Sequence, residues 1–529
     1  MLIPPCLVPA GSFAAQGEQS IPASYASQIP AIAFNVPDLD GGAKLELKSL
    51  ESNQSLACIE SVVNNGKTAD VPEVKYVAAG IAAAALLLSG FSALGSAAGA
   101  GAGTGATSAP SPTFFEVFSW FQSMAINGML DVEYPTIYRS FTRNFAFAGG
   151  LIPWDDMQLA IDGFREKTGG NLTEDSVPFL RNATLIYTPN VVSNVAKRGL
   201  EMLFERQTSI SVNGTTYGNS NQTEQEEKIM HYVSGIQAFA EQLQIPESNT
   251  FMTALMIFLI VIAAIVVGIL LFKVILETWA LFGTFPKRLT GFRKRYWWFM
   301  AKTIVNLILL VYGIWTLYCV YQFTRGDSWA AKVLAGVTLA IFTAILAFFT
   351  WRIWSLARKF KKAGGSTESL YDDKKVWRRY SIFYDSYKRG YWWLFAPTIV
   401  YMFVRGCIVA GASGHGLVQT AGQLIVESLM LILLLWSRPF SRRSGNWINI
   451  VIQVVRVLSV ICILVFVQQL GISRTTKTIT GLVLIVVQSV LTAVLAILIG
   501  VNAIIICCKE NPHRKQRKAN GKHMLIQDQ

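Results

Sequence analysis

The residue most able to do chemistry in this sequence is Glu427, which lies in the otherwise uncharged run 416–436. That run is long enough to cross a bilayer, where a carboxylate must be neutralised, be paired or face water. Gln419, Gln423 and Glu427 recur at intervals of four residues, which places all three on one face of a helix. The spacing therefore predicts a polar helix face turned away from lipid.

The two flanking apolar runs carry candidate partners for this carboxylate. Arg405 lies in the run 391–411, and Arg456 lies in the run 446–466. Arg456 also shares a helix face with two amide side chains. These are Asn449 and Gln453. We expect the polar faces of the three spans to turn toward a common interior.

Depth in the bilayer decides which arginine the sequence favours. At about 1.5 Å per residue, Glu427 lies about 17 Å from the outer end of its span and Arg456 about 14 Å from the inner end of its own. Both depths are close to the midplane of a core about 30 Å thick. Arg405 lies about 21 Å from the inside, several ångströms farther out. We therefore predict a Glu427–Arg456 pair, with Arg405 as a secondary or snorkelling partner.

Two interpretations of this polar set remain open. It could line a permeation or substrate path, or it could be an ion pair that only fixes helix packing. The amides extend the polar face well beyond one pair, which favours the first interpretation. The candidate transport residues are Arg405, Gln419, Gln423, Glu427, Asn449, Gln453 and Arg456.

The composition identifies an integral membrane protein. Hydrophobic residues make up 52% of the 529 residues and charged residues only 15%, against about 25% charged residues in soluble proteins. The formal charge of +13 would suggest nucleic acid binding in a soluble chain, but the basic residues cluster beside apolar runs, as in cytoplasmic loops. No catalytic triad, P-loop or zinc-like spacing occurs, so we expect no enzyme, cofactor, metal site or nucleic acid partner.

The predicted fold class is a polytopic α-helical membrane protein with about nine transmembrane helices. Each apolar run approaches the roughly 20 residues that a bilayer requires, although the second is short and contains Glu116. The predicted spans are 76–98, 113–130, 251–275, 297–322, 330–351, 391–412, 416–437, 447–470 and 479–507.

Two independent patterns orient these spans. The polar segment 134–250 carries four glycosylation sequons, which belong on a luminal or extracellular face. With that segment outside, the loops rich in Lys and Arg all fall inside. We expect an outer N-terminus and a cytoplasmic C-terminus, in the endoplasmic reticulum or the plasma membrane. The acceptors, including one in the N-terminal segment, are Asn53, Asn171, Asn182, Asn213 and Asn221.

The N-terminal segment has the pattern of part of a luminal β domain. Three β-rich stretches, 29–36, 43–50 and 55–63, are separated by turn residues. In an oxidising compartment Cys6 and Cys58 are a candidate disulfide. The predicted division is a β domain, two spans, a glycosylated loop region with a helix near its end (226–245), a seven-span domain and a basic tail. Their bounds are 1–75, 76–133, 134–250, 251–508 and 509–529.

The loop 352–390 is a separate candidate for contact with anionic lipids, at about 1 kcal/mol per basic residue. Positive-inside topology alone would produce the same enrichment. Trp377, Tyr380, Tyr384 and Tyr387 recur at a spacing typical of an amphipathic interfacial helix. The candidate lipid-binding residues are Arg358, Lys359, Lys361, Lys362, Arg378 and Arg379.

Three stretches resemble the fungal flavin-carrier family, whose members are also described as TRP-like or polycystin-like membrane proteins. The first, FNVPDLDGGAKLEL with LACIESVVNNGKTADV, is similar to the end of that family's luminal ML-like domain. The second is 121–152 and the third, most specific, is 381–459. The resemblance implies a TRP-like transmembrane domain and a role in calcium handling, flavin adenine dinucleotide (FAD) transport into the secretory pathway or cell-wall maintenance.

The sequence departs from this family pattern in two places. The family begins with a signal peptide and a complete ML-like domain, whereas Met1 opens inside that domain, so we expect an upstream part to be missing. An ordinary TRP channel places a re-entrant filter between its last two spans. Here about eight residues, 471–478, join them, too few to enter the membrane and return. A conduction path must then be lined by side chains of the spans themselves.

Three functions are carried forward. The first is a non-selective or calcium-permeable cation channel, regulated by membrane tension or lipid, with Glu427, Gln423 and Asn449 on its path. The second is an FAD carrier, for which arginines near the midplane and the aromatics Trp393 and Tyr401 suit phosphates and a stacked ring. The third is a non-transporting scaffold or lipid-handling protein. Expected partners are the membrane, anionic lipids and either inorganic cations or a flavin nucleotide; homo-oligomerisation is left open.

Overall fold

The structure, a computed structural model, divides into two compact units, Met1–Ala69 and Asp70–Gln529. The residues that the structure describes are 35–48, 55–98, 111–187, 229–282, 290–362 and 367–510.

The N-terminal unit contains an antiparallel pair of strands. β1 (Asp40–Lys48) pairs with β2 (Ser55–Asn64), and Leu45 lies opposite Ile59. Alternation of apolar and polar residues predicts both strands. The third predicted strand, 29–36, lies almost wholly outside the described residues.

The second unit opens with two helices of very different length. α1 (Pro72–Ala98) has the length of a span, but α2 (Phe114–Asn127) has only 14 residues. At about 1.5 Å per residue, α2 is about 21 Å long, too short for a lipid-exposed span. Every side chain from Trp120 to Asn127 is buried, so α2 is a core helix enclosed by longer helices.

Short elements make up the described part of the polar region 134–250. β3 (Ala183–Tyr187) and β4 (Ile229–Val233) pair in parallel. The helix predicted over 226–245 is instead β4 followed by the short α6 (Gly235–Glu241). Gly235, the first residue of α6, has a φ of 55°, a backbone conformation that favours glycine. The elements are α3 (Thr136–Arg143), α4 (Asp155–Lys167), α5 (Val177–Asn182), β3 (Ala183–Tyr187), β4 (Ile229–Val233) and α6 (Gly235–Glu241).

A buried arginine anchors this polar region to the long helices. Arg165 on α4 is fully buried and forms ion pairs with Asp162 at 3.3 Å, Asp175 at 3.0 Å and Asp327 at 2.6 Å. It also donates to Asn249 Oδ1 at 2.9 Å. Burial alone would raise the pKa of Asp327, but the hydrogen bond and charge of Arg165 outweigh it and lower that pKa below its usual value.

Nine further α-helices follow in the part of the chain that the structure describes. Among the described residues, eight helices are long and apolar enough to cross a membrane, rather than the nine predicted, because α2 is too short. The helices are α7 (Thr250–Phe282), α8 (Thr290–Arg325), α9 (Trp329–Lys362), α10 (Ser369–Asp372), α11 (Lys374–Tyr384), α12 (Phe395–Gly411), α13 (Gly416–Ser437), α14 (Arg443–Leu464) and α15 (Arg474–Glu510).

The helix predicted at the membrane interface is present as α11, but protein covers its aromatic face. Tyr380 and Tyr384 are buried. The Tyr380 ring packs edge-on against Phe349 of α9 at 6.2 Å, and the Tyr384 hydroxyl donates to the Leu370 carbonyl oxygen at 3.0 Å. The amphipathic spacing therefore reports packing against α9 and α10, and the expectation that these tyrosines face the bilayer is wrong.

Two glycines allow α8 and α12 to approach closely. A Cβ added at Gly406 would lie 2.6 Å from the carbonyl oxygen of Gly313 and 2.9 Å from the backbone nitrogen of Leu317. Only a glycine fits there without moving a helix, and this small-residue contact is typical of membrane helix packing.

The connection between α14 and α15 is as short as the sequence indicates. Residues 465–473 contain one 3₁₀ turn, Gln468–Leu470, and no re-entrant helix. The last two spans therefore carry no filter loop between them.

Candidate functional site: the buried Glu427 cluster

The polar faces of α12, α13 and α14 meet in the interior of the helical bundle. On α13, Gln419 and Glu427 are fully buried and Gln423 nearly so. On the opposite face of the same helix, Val418 and Ile425 are 58% and 61% exposed, as expected for lipid-facing side chains. The spacing of four residues therefore predicts correctly which face of α13 is hidden.

Glu427 is held by groups from the two neighbouring helices. Its Oε1 lies 3.2 Å from Nε of Arg405 on α12. Its Oε2 accepts hydrogen bonds from the Tyr401 hydroxyl at 2.8 Å and from Gln453 Nε2 at 2.6 Å. Gln453 Nε2 also donates to the Glu427 carbonyl oxygen at 3.0 Å. The carboxylate is thus both charge-paired and hydrogen-bonded, which is what its burial requires.

The predicted Glu427–Arg456 ion pair is wrong. Arg456 donates to the Tyr401 hydroxyl at 3.4 Å and to the Ser119 carbonyl oxygen of α2 at 3.0 Å. The depth estimate compared backbone positions along straight helices, but an arginine side chain reaches several ångströms along the membrane normal. That reach brings Arg405 to the carboxylate, while α2 supplies a carbonyl oxygen for Arg456 instead.

Arg405 also forms hydrogen bonds to α13 and α2. Its Nε donates to Gln423 Oε1 at 3.3 Å, and Nη2 donates to the Ser123 hydroxyl of α2 at 2.9 Å. Gln423 Nε2 returns a hydrogen bond to the Arg405 carbonyl oxygen at 3.3 Å. We call the set Tyr401, Arg405, Gln423, Glu427, Gln453 and Arg456, with Ser119 and Ser123 of α2, the Glu427 cluster.

Gln419 lies beyond the cluster, at the other end of the predicted polar face. Its Nε2 donates to the Val409 carbonyl oxygen at 2.7 Å, and its Oε1 accepts from the backbone nitrogen of Asp131 at 2.7 Å. The Asp131 carboxylate accepts from the backbone nitrogen of Gly414 at 2.7 Å. These bonds tie the segment after α2 to the start of α13, so Gln419 has a connecting role in this conformation.

Asn449 belongs to a second polar site. Its Nδ2 donates to Glu116 Oε1 at 2.5 Å and to the Gly445 carbonyl oxygen at 2.9 Å. Glu116 also accepts from the backbone nitrogen of Thr113 at 2.7 Å, as part of the capping box of α2. Glu116 is not among the predicted site residues, although Thr-Phe-Phe-Glu over 113–116 is a capping-box signature.

Within the part of the chain that the structure describes, two polar atoms of the Glu427 cluster have no hydrogen-bond partner. These are Oε1 of Glu427, which has only its ion pair, and Nε of Arg456. Buried polar groups left in this way cost free energy, and each requires an explanation. The cluster has two arginines and one carboxylate, and it is closed to solvent in this conformation because Glu427 is fully buried.

The remaining predicted site residues divide between surface positions and positions outside the described residues. Asn171 and Asn182 are exposed, as sequons require, while Asn53, Asn213 and Asn221 lie outside the described residues. Cys6 lies outside them too, so its disulfide with Cys58 stays a prediction. Arg358, Lys359, Lys361 and Lys362 are exposed at the end of α9 and Arg379 is exposed on α11, the helix that also contains Arg378.

Comparison with known proteins identifies the family. A family model described as the transient receptor potential (TRP) ion channel matches residues 74–525, and a model described as an ML-like domain matches residues 4–69. No solved structure matches the chain.

Curated fungal relatives match along nearly the whole chain. TRP-like ion channel protein flc1 of Cryptococcus neoformans is 26% identical over 520 residues, which cover 92% of this chain and 64% of the relative. Flavin carrier protein 2 of Saccharomyces cerevisiae is 26% identical over 525 residues, covering 96% and 64%. TRP-like ion channel pkd2 of Schizosaccharomyces pombe is 22% identical over 526 residues, covering 96% and 69%. The chain thus spans slightly less than two thirds of the first two relatives.

The family expected from the sequence motifs is therefore confirmed: the chain belongs to the TRP ion channel family, and its N-terminal part matches the ML-like domain.

Proposed function

We propose that this chain conducts cations, calcium among them, and that the Glu427 cluster is the closed gate of the path. The observation that carries the proposal is a carboxylate placed in the interior of a membrane bundle and neutralised by an arginine from a neighbouring helix. Ionisable groups at that depth mark ion or substrate paths more often than they contribute stability.

The gate works through competition for one carboxylate. In the closed state the Arg405 guanidinium occupies the position beside Glu427 Oε1 that a permeating cation would need. A cation can be stabilised there only after α12 and α13 shift enough to separate the pair and admit water. Arg405 can keep its bonds to Gln423 and Ser123 while Glu427 turns to the path, so its charge stays beside the path rather than in it.

The proposed setting follows from sequons and basic loops. The N-terminal unit and the region 134–250 lie on the luminal or extracellular side, and the loop after α9 and the tail lie in the cytoplasm. The membrane is that of the endoplasmic reticulum or the cell surface. Anionic lipids and further copies of the chain are proposed as partners.

Flux through reconstituted protein tests the proposed function. The full chain is placed in liposomes that contain a calcium-sensitive dye, and protein-free liposomes are the control. We expect calcium entry only with protein, and a changed rate in the double variant Arg405→Gln/Glu427→Gln. Calcium entry equal to that of protein-free liposomes, under both applied voltage and osmotic tension, would overturn the proposal.

FAD transport is the second candidate, and one observation favours it. Arg456 and Tyr401 lie side by side, and relatives carry the name flavin carrier. Arginines and an aromatic ring suit phosphates and a flavin. Uptake of FAD into the same liposomes separates the candidates: accumulation of FAD without calcium entry supports the carrier.

A scaffold without transport is the third candidate. In that case the Glu427 cluster contributes only packing, and exchange of the charges in Arg405→Glu/Glu427→Arg preserves both the fold and the cellular role. The gate proposal expects the exchanged pair to fold but to conduct differently, since an arginine then takes the place of the carboxylate.

A further inference from the structure

A membrane-facing groove between α8, α9 and α12 lies apart from the Glu427 cluster. Its volume is about 840 Å³, within the 300–1,000 Å³ typical of sites for small molecules. Its walls are mostly apolar and include Leu346, Trp351, Val400 and Phe403. Val400 and Trp351 are 59% and 62% exposed, so the groove opens toward the acyl chains of the bilayer.

One end of this groove is strongly basic. Arg358, Lys359 and Lys362 line it on the last turns of α9, and all three are exposed. Among the described residues none of the three forms an ion pair, although acidic residues such as Glu368 and Asp372 lie nearby in sequence and pair with Arg389 instead. Three positive charges that have no ion-pair partner among the described residues therefore lie at one end of the apolar groove.

The length of the groove matches one leaflet of a bilayer. At about 1.5 Å per residue, the distance along α9 from Thr343 at the apolar end to Arg358 is about 22 Å. A leaflet with its headgroups measures about 20 to 22 Å. Trp351 and Trp354 lie about a turn or two before the basic residues, where interfacial tryptophans are expected.

We propose that this groove binds one anionic diacyl phospholipid, with the phosphate on Arg358, Lys359 and Lys362 and an acyl chain along Leu346, Val400 and Phe403. A zwitterionic lipid brings no net negative charge to offset the three basic residues, whereas an anionic lipid does. The C-terminal tail of the chain is an unsuitable occupant, because 509–518 is itself rich in Lys and Arg. Binding in the groove is more specific than a general attraction of anionic lipids to the basic loop, since it requires a fitting shape as well as charge.

Variants of two kinds separate the groove from general basic charge. Full-length protein is placed in phosphatidylcholine nanodiscs with and without phosphatidylserine, and co-purified lipid is measured by native mass spectrometry. Arg358→Gln/Lys359→Gln/Lys362→Gln should weaken phosphatidylserine binding about a hundredfold, from about 1 kcal/mol per basic residue. Lys361→Gln/Lys375→Gln/Arg379→Gln is the matched control, because it also removes three charges and its residues are exposed but do not line the groove.

A second variant fills the groove without changing charge. Ala347 lines it and is exposed, so Ala347→Trp should displace the bound lipid while the fold is retained. Ala344→Trp is the matched control, on the same helix, exposed and outside the groove. Equal loss in both charge variants, unchanged retention in Ala347→Trp, or equal binding of phosphatidylcholine would each overturn the proposal.

Discussion

Glu427 forms a buried ion pair, and in the structure Arg405 is its partner. Removing one partner of a buried pair leaves an uncompensated charge and costs about 3–5 kcal/mol. Removing both at similar volume costs far less, because no charge remains buried. The two changes therefore differ clearly in their cost to stability, and comparing them tests the pairing.

Thermal unfolding in detergent distinguishes the observed partner from the predicted one. Arg405→Gln should destabilise the protein by about 3–5 kcal/mol, since Glu427 then lacks its ion pair. Arg456→Gln should cost only about 1–2 kcal/mol, the loss of bonds to Tyr401 and the Ser119 carbonyl oxygen. Adding Glu427→Gln should rescue Arg405→Gln and not Arg456→Gln. The reverse pattern of rescue would mean that Arg456 is the partner.

Residue types and their spacing predict the burial of Glu427, Gln423 and Gln453, but not their partners. A polar side chain is costly in lipid, so its burial can be predicted from residue type and spacing alone. The partner of Glu427 depends on how far an arginine side chain extends and on whether a third helix supplies a competing acceptor. Ser119 supplies one, and nothing local in the sequence indicates that contact.

The short helix α2 organises the elements around the cluster. It forms hydrogen bonds to α12 through Ser123 and to α14 through Ser119 and Glu116. A hydrogen bond from Trp120 Nε1 to Thr492 Oγ1 at 3.0 Å joins it to α15. Its apolar composition predicts a membrane location, and its length alone separates it from the lipid-exposed spans. Its central position could not be predicted, because the contacts join residues more than 280 positions apart.

Close packing of α8 on α12 gives a prediction with an internal control. Gly406→Ala should destabilise the fold by about 1–3 kcal/mol, the usual cost of overpacking, because the new Cβ meets the Gly313 carbonyl oxygen. Gly411→Ala, on the same helix with nothing within 4 Å, should be neutral or slightly stabilising. Equal thermal stability of the two variants would show that α8 and α12 do not approach this closely.

The Arg165 anchor gives a pH prediction at the scale of elements. The folded state lowers the pKa of Asp327, so ionised Asp327 contributes stability that is present above its unfolded pKa of about 3.9. That contribution is lost as the pH falls through the lower, folded pKa. Hydrogen exchange of 155–175 should therefore accelerate only in that acidic window, and Asp327→Asn should accelerate it at neutral pH.

A surface ion pair provides the control for this anchor. Arg181 and Asp155 pair at 2.8 Å but are 53% and 69% exposed, so Asp155→Asn should leave exchange nearly unchanged. Similar exchange in Asp155→Asn and Asp327→Asn would contradict an anchoring role for Arg165.

Across the whole molecule, the sequence predicts the positions of the long apolar helices better than it predicts side-chain contacts. The seven predicted spans that follow the polar region coincide with α7, α8, α9, α12, α13, α14 and α15, because hydropathy and length are local properties. The orientation remains a prediction from sequons and basic loops, and glycosylation tests it. Asn171→Gln/Asn182→Gln should reduce the mobility shift on endoglycosidase treatment, while Lys522→Thr, which creates Asn-Gly-Thr over 520–522, should add none. A glycan on the tail sequon would mean that the tail is luminal or extracellular and that the predicted orientation is wrong.

The central claim is that Glu427 faces a cation path once its pair with Arg405 opens. Patch recordings of the double variant Arg405→Gln/Glu427→Gln test it most directly, because both charges are removed and no buried ion is left unpaired. We predict wild-type expression and thermal stability with altered cation conductance or selectivity. A correctly folded double variant that carries the wild-type current would contradict the account.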